Sequence, residues 1–197
     1  MSVPPAPPLL LASTSPQRRA ILEQLGIPFR AVPPQYEEED EPGADPLERV
    51  REHARGKARS VADGADDCPV LGVDTAVVLD GRMYGKPVTA EDAAEMLDAL
   101  GGRVHEVLSG LCLLTPGWEI VEHDVTQVWF RPLTARDIGT YVASGEWEGR
   151  AGSYAIQGRG AALVERVEGD YLNVVGLPAA LLVRLLAARF AGVYGFG

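Results

Sequence analysis

A single carboxylate inside an apolar run is the feature that most limits how this chain can fold. Residues 70–79 have the sequence VLGVDTAVVL, in which only Asp74 is charged. A run of this length and composition is typical of a buried strand. An ionised carboxylate buried there without a counter-charge would cost on the order of several kcal/mol. We therefore expect a cation or a metal ion to lie against Asp74.

A tight hairpin turn follows this strand. The pair Asp80-Gly81 is typical of a two-residue type I′ turn. Counting outward from the turn places Lys86 opposite Thr75, and directly opposed residues share a face, so Lys86 would point away from Asp74. Gly85 permits either a bulge or an end to the pairing. The sequence thus predicts that Asp74 and Lys86 are neighbours, without predicting a contact between them.

Composition limits the classes of partner. The chain has 197 residues, 46% of them apolar, which is enough for one large domain or two small lobes with a real core. Its net charge of −10 argues against a nucleic-acid or membrane-surface binder but leaves room for a small phosphorylated ligand. Cys68 and Cys112 are too few for a disulfide framework. With no signal peptide and no membrane-length apolar run, we expect a cytoplasmic protein.

Hydroxyl groups and arginines gather at the start of the first predicted helix. Residues 13–19 are STSPQRR, in which Ser15 fits the N-cap and Pro16 the first helical position. Arg18 and Arg19 there oppose the helix dipole, at about 0.3–1 kcal/mol each. With Ser13 and its neighbouring hydroxyls they favour an anion-binding site. The competing interpretation is two solvated arginines on a surface helix.

Three other segments carry residues suited to a charged ligand. Lys57 edges the inward face of a helix predicted from about residue 45 to 62, where it either lifts its ammonium to water or points into a cleft. Glu38 belongs to an acidic run, 37–41, that we expect to be a mostly solvated loop with one member able to reach a metal ion. The glycine-rich stretch 151–160 around Gln157 brings backbone close to a ligand or forms a tight bend.

The predicted elements mix without strict βαβ alternation. Long strands over 104–114 and 120–131 form an antiparallel pair, a strand covers 161–167, and a turn covers 171–176. His105 and His123 are expected to be structural or surface residues. We expect an α/β fold with a mixed, bent β-sheet flanked by helices and two lobes around a central cleft. Residues 1–8 are predicted to be disordered, 9–191 to form one domain, and 192–197 to be a tail.

A phosphoanhydride substrate would use all of these unusual residues. Its negative charge needs cations and a helix N-terminus, and its cleavage needs positioning and electrostatic stabilisation. Asp74 and Glu38 carry the oxygen ligands that Mg²⁺ prefers. The chain has no P-loop sequence and no G-x-S-x-G or H-E-x-x-H motif. From the residues alone the chain is a phosphate-ligand enzyme assisted by a metal ion.

Five blocks of the sequence resemble the Maf family of nucleoside triphosphate pyrophosphatases. They occur in order between about residues 9 and 190: LASTSPQRR (11–19), GVDT (72–75) with GKP (85–87), GRVHEV (102–107), AGSYAIQG (151–158) and NVVGLP (173–178). The resemblance implies the fold of the Maf and ITPase families. It also implies hydrolysis of a nucleoside triphosphate to the monophosphate and diphosphate, with a divalent cation, Mg²⁺ or Mn²⁺, as cofactor.

The resemblance also implies roles for individual residues. Asp74 matches the family's proton acceptor and, with Glu38, a metal ligand. The residues that match substrate-binding positions are Ser13, Ser15, Arg18, Lys57 and Lys86. Those that match positions tied to base choice are Gln17, Thr75 and Gln157.

The residues that match the family do not all indicate the same nucleotide base. Thr75 and Gln157 look like the branch that hydrolyses dTTP and UTP, and a glutamine amide can meet both a carbonyl and an imide N–H of a pyrimidine. Gln17 stands where that branch usually has arginine, and the resulting motif looks more like the branch acting on methylated GTP. Two non-enzymatic hypotheses are a nucleotide-binding regulator of cell division without turnover and a purely structural domain. The expected partner is a nucleotide, with no nucleic acid or membrane and with a possible homodimer.

Overall fold

The structure, a computed structural model, describes residues 6–38 and 43–196. Residues 1–5 of the predicted disordered segment and 39–41 of the acidic run lie outside the described residues. The strands are β1 (Leu9–Ala12), β2 (Phe29–Val32), β3 (Val70–Leu79), β4 (Arg82–Tyr84), β5 (Val104–Thr115), β6 (Trp118–Phe130) and β7 (Val164–Glu168). The α-helices are α1 (Pro16–Gln24), α2 (Pro46–Arg59), α3 (Ala90–Leu100), α4 (Ala135–Val142), α5 (Tyr171–Val175) and α6 (Ala179–Phe190).

The seven strands form one mixed sheet in the order β2-β1-β3-β5-β6-β7, with β4 paired to β3 outside this path. β1 is parallel to β2 and β3, whereas the pairs from β3 through β7 are antiparallel. The predicted α/β class with a mixed sheet flanked by helices is confirmed. The turn between β3 and β4 is also as expected, because Asp80 and Gly81 both have positive φ, 51° and 76°.

Helix α2 lies directly on one face of the sheet because two glycines leave room for it. A Cβ atom at Gly72 would lie 2.1 Å from the Ala54 carbonyl oxygen, and one at Gly110 would lie 2.0 Å from the Val50 carbonyl oxygen. Gly110 is the register partner of Asp74, and alternate residues of a strand share a face. The side chain of Asp74 therefore points to the same face as α2.

The opposite face of β3 belongs to two separate hydrophobic cores. Leu71 and Val73 pack in one core with residues of α1 and α6. Val77 and Leu79 pack in another core with residues of α3 and α4. Thr75 lies between the two pairs on this face, so the two predicted lobes meet at Thr75.

A gap in the pairing opens the sheet at the same point. On the side of β3 away from β5, β1 pairs with residues 70–72 and β4 with residues 77–79. Residues 73–76 fall between these two pairings. Asp74 and Thr75 thus lie where the sheet opens, with their side chains on opposite faces.

Two predictions near the C-terminus were wrong in detail. Residues 161–163 belong to a 3₁₀ helix, Arg159–Leu163, and the strand begins only at Val164. Residues 171–175 are a short α-helix instead of a turn, because Asp170 caps its first turn and Gly176 ends it with a φ of 127°. Among the described residues, no helix is long and apolar enough to span a membrane.

Candidate active site

One cavity of about 620 Å³ lies at the opening of the sheet. Of the ten residues that the sequence predicts for the site, nine line it: Ser13, Ser15, Gln17, Arg18, Glu38, Lys57, Thr75, Lys86 and Gln157. Lys57 and Lys86 are the only two lysines of the chain. Asp74 is not among the lining residues, but it contacts Lys57, which is.

The Arg18 guanidinium is fixed by three acceptors from different parts of the chain. Its Nε donates to the Gly176 carbonyl oxygen at 2.9 Å, and its two terminal nitrogens donate to Ser13 Oγ at 3.1 Å and Thr75 Oγ1 at 3.2 Å. Burial lowers the pKa of Arg18, against the opposing effect of the Asp74 and Glu38 carboxylates. Arg18 therefore points into the site, whereas Arg19 is exposed.

Lys57 lies between two carboxylates. Its Nζ is 2.5 Å from Asp74 Oδ1 and 2.6 Å from Glu38 Oε1. The side chains of Lys57 and Asp74 are only 10% and 13% exposed. Of the two orientations considered for Lys57, the structure supports the one that points into a cleft. The counter-charge expected for the acid inside the strand is this ammonium group, brought to it by α2.

Among the described residues Asp74 forms its ion pair with Lys57, and the sequence had predicted no contact between Asp74 and Lys86. The pairing of β4 stops at Tyr84, so Lys86 lies beyond the strand. It lines the cavity with Thr75, in agreement with the face assigned by the ideal register, while Asp74 faces α2 and Lys57. The two residues border the same opening from different sides of the sheet.

The hydroxyl and amide groups near Arg18 are bonded to one another. Thr75 Oγ1 is 2.9 Å from Ser109 Oγ on β5, which is its register partner. Ser15 Oγ accepts the Arg18 backbone N–H as the predicted N-cap and donates to Gln17 Oε1 at 3.1 Å. Gln17 thus contributes a neutral amide to a wall whose neighbouring residue, Arg18, is a cation.

Gln157 lies in a turn at the edge of the cavity. The Gly158 N–H donates to the Ala155 carbonyl oxygen at 3.0 Å and closes the turn, in which Gln157 is exposed. The Ala155 N–H donates to the Tyr141 hydroxyl at 2.9 Å. The stretch forms the tight bend that one interpretation expected, and its residues line the cavity.

A buried aromatic group supports this wall. Tyr154 lines the cavity, and its hydroxyl lies 2.9 Å from Nε2 of His105, which packs edge-on against Phe130. Burial lowers the pKa of His105 to about 4 and raises that of Tyr154. His105 is therefore a neutral structural histidine, as the sequence predicted.

Two charged residues of the cavity wall were missed by the sequence analysis. Glu146 and Arg150 belong to the turns after α4, and both line the cavity. The segment that follows Arg150 is tied to the residue before Lys86, because the Gly152 N–H donates to the Gly85 carbonyl oxygen at 3.1 Å. Their only signal in the sequence is their position just before the block 151–158.

Asp74 and Glu38 carry the groups of this site that would fit a divalent metal ion. Both carboxylates direct an oxygen at the Lys57 ammonium, and carboxylate oxygens suit Mg²⁺ and Mn²⁺. Within residues 6–38 and 43–196, no group of three His, Cys, Asp or Glu side chains could hold a metal ion. Such an ion would therefore need phosphate oxygens or water as its other ligands.

Comparison with known proteins gives one family and many relatives. The model of the family described as "Maf-like protein" matches residues 8–189. A "dTTP/UTP pyrophosphatase" of Moorella thermoacetica is 48% identical over 95% of this chain and 97% of that protein. A protein of the same name from Gloeobacter violaceus is 47% identical over 91% of this chain and 94% of that protein. Another from Deinococcus radiodurans is 44% identical over 98% of this chain and 97% of that protein.

Proposed function

This chain belongs to the Maf-like protein family, and from that premise we propose that it hydrolyses nucleoside triphosphates to the monophosphate and diphosphate, with dTTP and UTP as preferred substrates. The observation that carries the proposal is the convergence of Arg18, Lys57 and Lys86, from three distant segments, on one cavity of a protein with a net charge of −10. Concentrated positive charge in an acidic protein suits a polyanion such as a triphosphate.

The groups that we assign to triphosphate binding are already oriented before the substrate arrives. Ser13 and Thr75 hold the two terminal nitrogens of Arg18, so its planar guanidinium does not have to be ordered when phosphate arrives. Ser13 and Ser15 line the same cavity beside Arg18. Lys86 is exposed and free to follow the phosphate chain.

We assign to Asp74 the role of proton acceptor for the attacking water molecule. Lys57 bonds its Oδ1 and so orients the carboxylate at the opening of the sheet. The water oxygen attacks a phosphorus atom, the phosphoanhydride bond breaks, diphosphate leaves with the bonding electron pair, and the proton of the water passes to Asp74. Lys57 and Arg18 stabilise the charge that builds on the phosphate oxygens.

Asp74 and Glu38 would also hold a divalent ion, Mg²⁺ or Mn²⁺, together with phosphate oxygens of the substrate. The chemistry that such an ion supplies when bound is neutralisation of phosphate charge. Lys57 already bridges both carboxylates and keeps them in place when substrate is absent.

Base selection is assigned to Gln157 and Thr75. The names of the three relatives favour a pyrimidine nucleotide. A second candidate substrate is methylated GTP, because Gln17 presents a neutral amide bonded to Ser15. Comparison of kcat/KM for dTTP, UTP, CTP and methylated GTP separates the two candidates.

The test of the mechanism is Asp74→Asn, with Asp98→Asn on the exposed side of α3 as its control. Loss of a general base lowers rates by about 10²–10⁴-fold, so diphosphate release by Asp74→Asn should fall by at least about 10²-fold while the fold still melts cooperatively. Asp98→Asn should behave as the wild type. Turnover retained by Asp74→Asn would refute the assigned role, and nucleotide binding without turnover by the wild type would favour the regulator of cell division.

We also propose that the protein works in the cytoplasm. Support comes from Cys68 and Cys112, which are both free thiols, as expected in a reducing compartment. The possible homodimer stays a prediction.

A further inference from the structure

The turn that carries Gln157 is held from outside by two side chains of the α4 region. The Tyr141 hydroxyl accepts the Ala155 N–H at the start of the turn. Glu146 Oε2 accepts the Arg159 N–H at 2.7 Å, just beyond its end. Gln157 lies between these two anchors, lines the cavity and is the residue there whose side chain carries an amide.

Contact between Glu146 and the turn is close enough that a side chain at position 158 would displace the Glu146 carboxylate. A Cβ atom at Gly158 would lie 2.6 Å from Glu146 Oε2 and 2.7 Å from its Oε1. The carboxylate therefore packs against the backbone of residues 158 and 159 directly after Gln157. A hydrogen bond from a backbone N–H to a charged acceptor is stronger than one to a neutral acceptor.

The charge of Glu146 makes a role in phosphate binding unfavourable. A carboxylate in the wall of a triphosphate cavity repels phosphate oxygens. Glu146 nevertheless lines this cavity, and its side-chain hydrogen bond goes to the backbone of the turn that carries Gln157. Its position fits the nucleoside end of the ligand, where no phosphate charge is present.

We infer that Glu146 is a positioning residue for base selection, which it controls by holding the turn that presents the Gln157 amide. This inference rests on the proposed function. A glutamine amide can turn over, and in its two orientations it complements either uracil or cytosine. Selection therefore depends on where the backbone places the amide, and a loosened turn would let it reach more than one base.

The experiment measures kcat/KM for dTTP, UTP, CTP and methylated GTP and takes the ratio of the best substrate to the worst. The variants are Glu146→Ala, Glu146→Gln, Gln157→Ala and the double variant of Glu146→Ala with Gln157→Ala. Glu148→Ala is the matched control, because Glu148 is an exposed carboxylate two residues away that does not line the cavity. Thermal melting of each variant establishes that it is folded.

Loss of one charged hydrogen bond corresponds to a factor of about ten. We expect Glu146→Ala to lower the selectivity ratio about ten-fold, mainly by raising KM for the best substrate. Glu146→Gln keeps an acceptor oxygen and should recover most of the ratio. In the Gln157→Ala background, Glu146→Ala should have little further effect, because the amide that it positions is gone.

Two results would overturn the inference. One is an unchanged ratio in Glu146→Ala, whether kcat/KM stays the same or falls equally for every substrate. The other is the same effect of Glu146→Ala with and without Gln157. A different result, measured on the wild-type protein, would show that the proposed function is wrong. In that case the wild-type protein itself would release no diphosphate from any of the four nucleotides.

Discussion

Removal of the Lys57 charge should destabilise the fold through Asp74. In Lys57→Met the side chain stays unbranched, becomes one heavy atom shorter and loses its ammonium, which leaves a carboxylate that is only 13% exposed without its cation. At 2.5 Å and an effective dielectric constant of about 20, Coulomb's law gives roughly 7 kcal/mol for the pair before the opposing cost of desolvation. Breaking buried pairs by removing one partner costs about 3–5 kcal/mol.

We expect the lower end, about 3 kcal/mol, because Arg18 also acts on Asp74 and water can enter the open cavity. For a chain of this size that corresponds to a fall in melting temperature of about 6–12 °C. The measurement is urea unfolding at pH 7.5, supported by thermal melting. Lys86→Met is the matched control, since Lys86 is the other lysine of the cavity and is exposed, and its unfolding free energy should stay within about 0.5 kcal/mol of wild type.

A double variant separates charge from packing. When Asp74→Asn is added to Lys57→Met, neither position 57 nor position 74 carries a buried charge. The double variant should therefore regain about 2 kcal/mol of the unfolding free energy that Lys57→Met loses. If Lys57→Met unfolds at the wild-type urea concentration, or if the double variant is no more stable than Lys57→Met, then Asp74 is not held by Lys57 in the way described.

Three further predictions concern the rest of the site. Burial lowers the pKa of His105 to about 4, so as pH drops the unfolded chain binds a proton there before the folded chain does, and stability falls. Between pH 7.5 and pH 5 the unfolding free energy of wild type, measured in urea, should therefore fall by about 2 kcal/mol more than that of His105→Gln. Gly110→Ala should cost about 1–3 kcal/mol and lower kcat/KM by pushing α2 from the sheet, whereas Gly117→Ala, with no atom within 4 Å of its added methyl, should change neither. Chelation with EDTA should abolish diphosphate release and added Mg²⁺ or Mn²⁺ should restore it; full activity in EDTA would contradict a metal-assisted reaction.

Local rules were enough to predict most elements and part of the site from the sequence. The cap at Ser15, the Asp80-Gly81 turn and the long pair β5–β6 each depend on residues that are adjacent in the chain or in one hairpin. The helix at 171–175 was missed because five residues carry too little periodicity to be distinguished from a turn. Sequence patterns could also indicate that Asp74 needs a counter-charge, since that follows from the strand alone.

Identification of the counter-charge needed information that local patterns do not contain. Lys57 reaches Asp74 because α2 lies on the sheet at the backbone distance that Gly72 and Gly110 allow, and these glycines come from two different strands. In the sequence each glycine looks only like a weak point in a strand. Once Gly110 is known to pair with Asp74, the empty Cβ positions beside the acid mark where a helix backbone can approach. The cation for a buried strand carboxylate should then be sought on the helix that covers such glycines, and not on the adjoining hairpin strand.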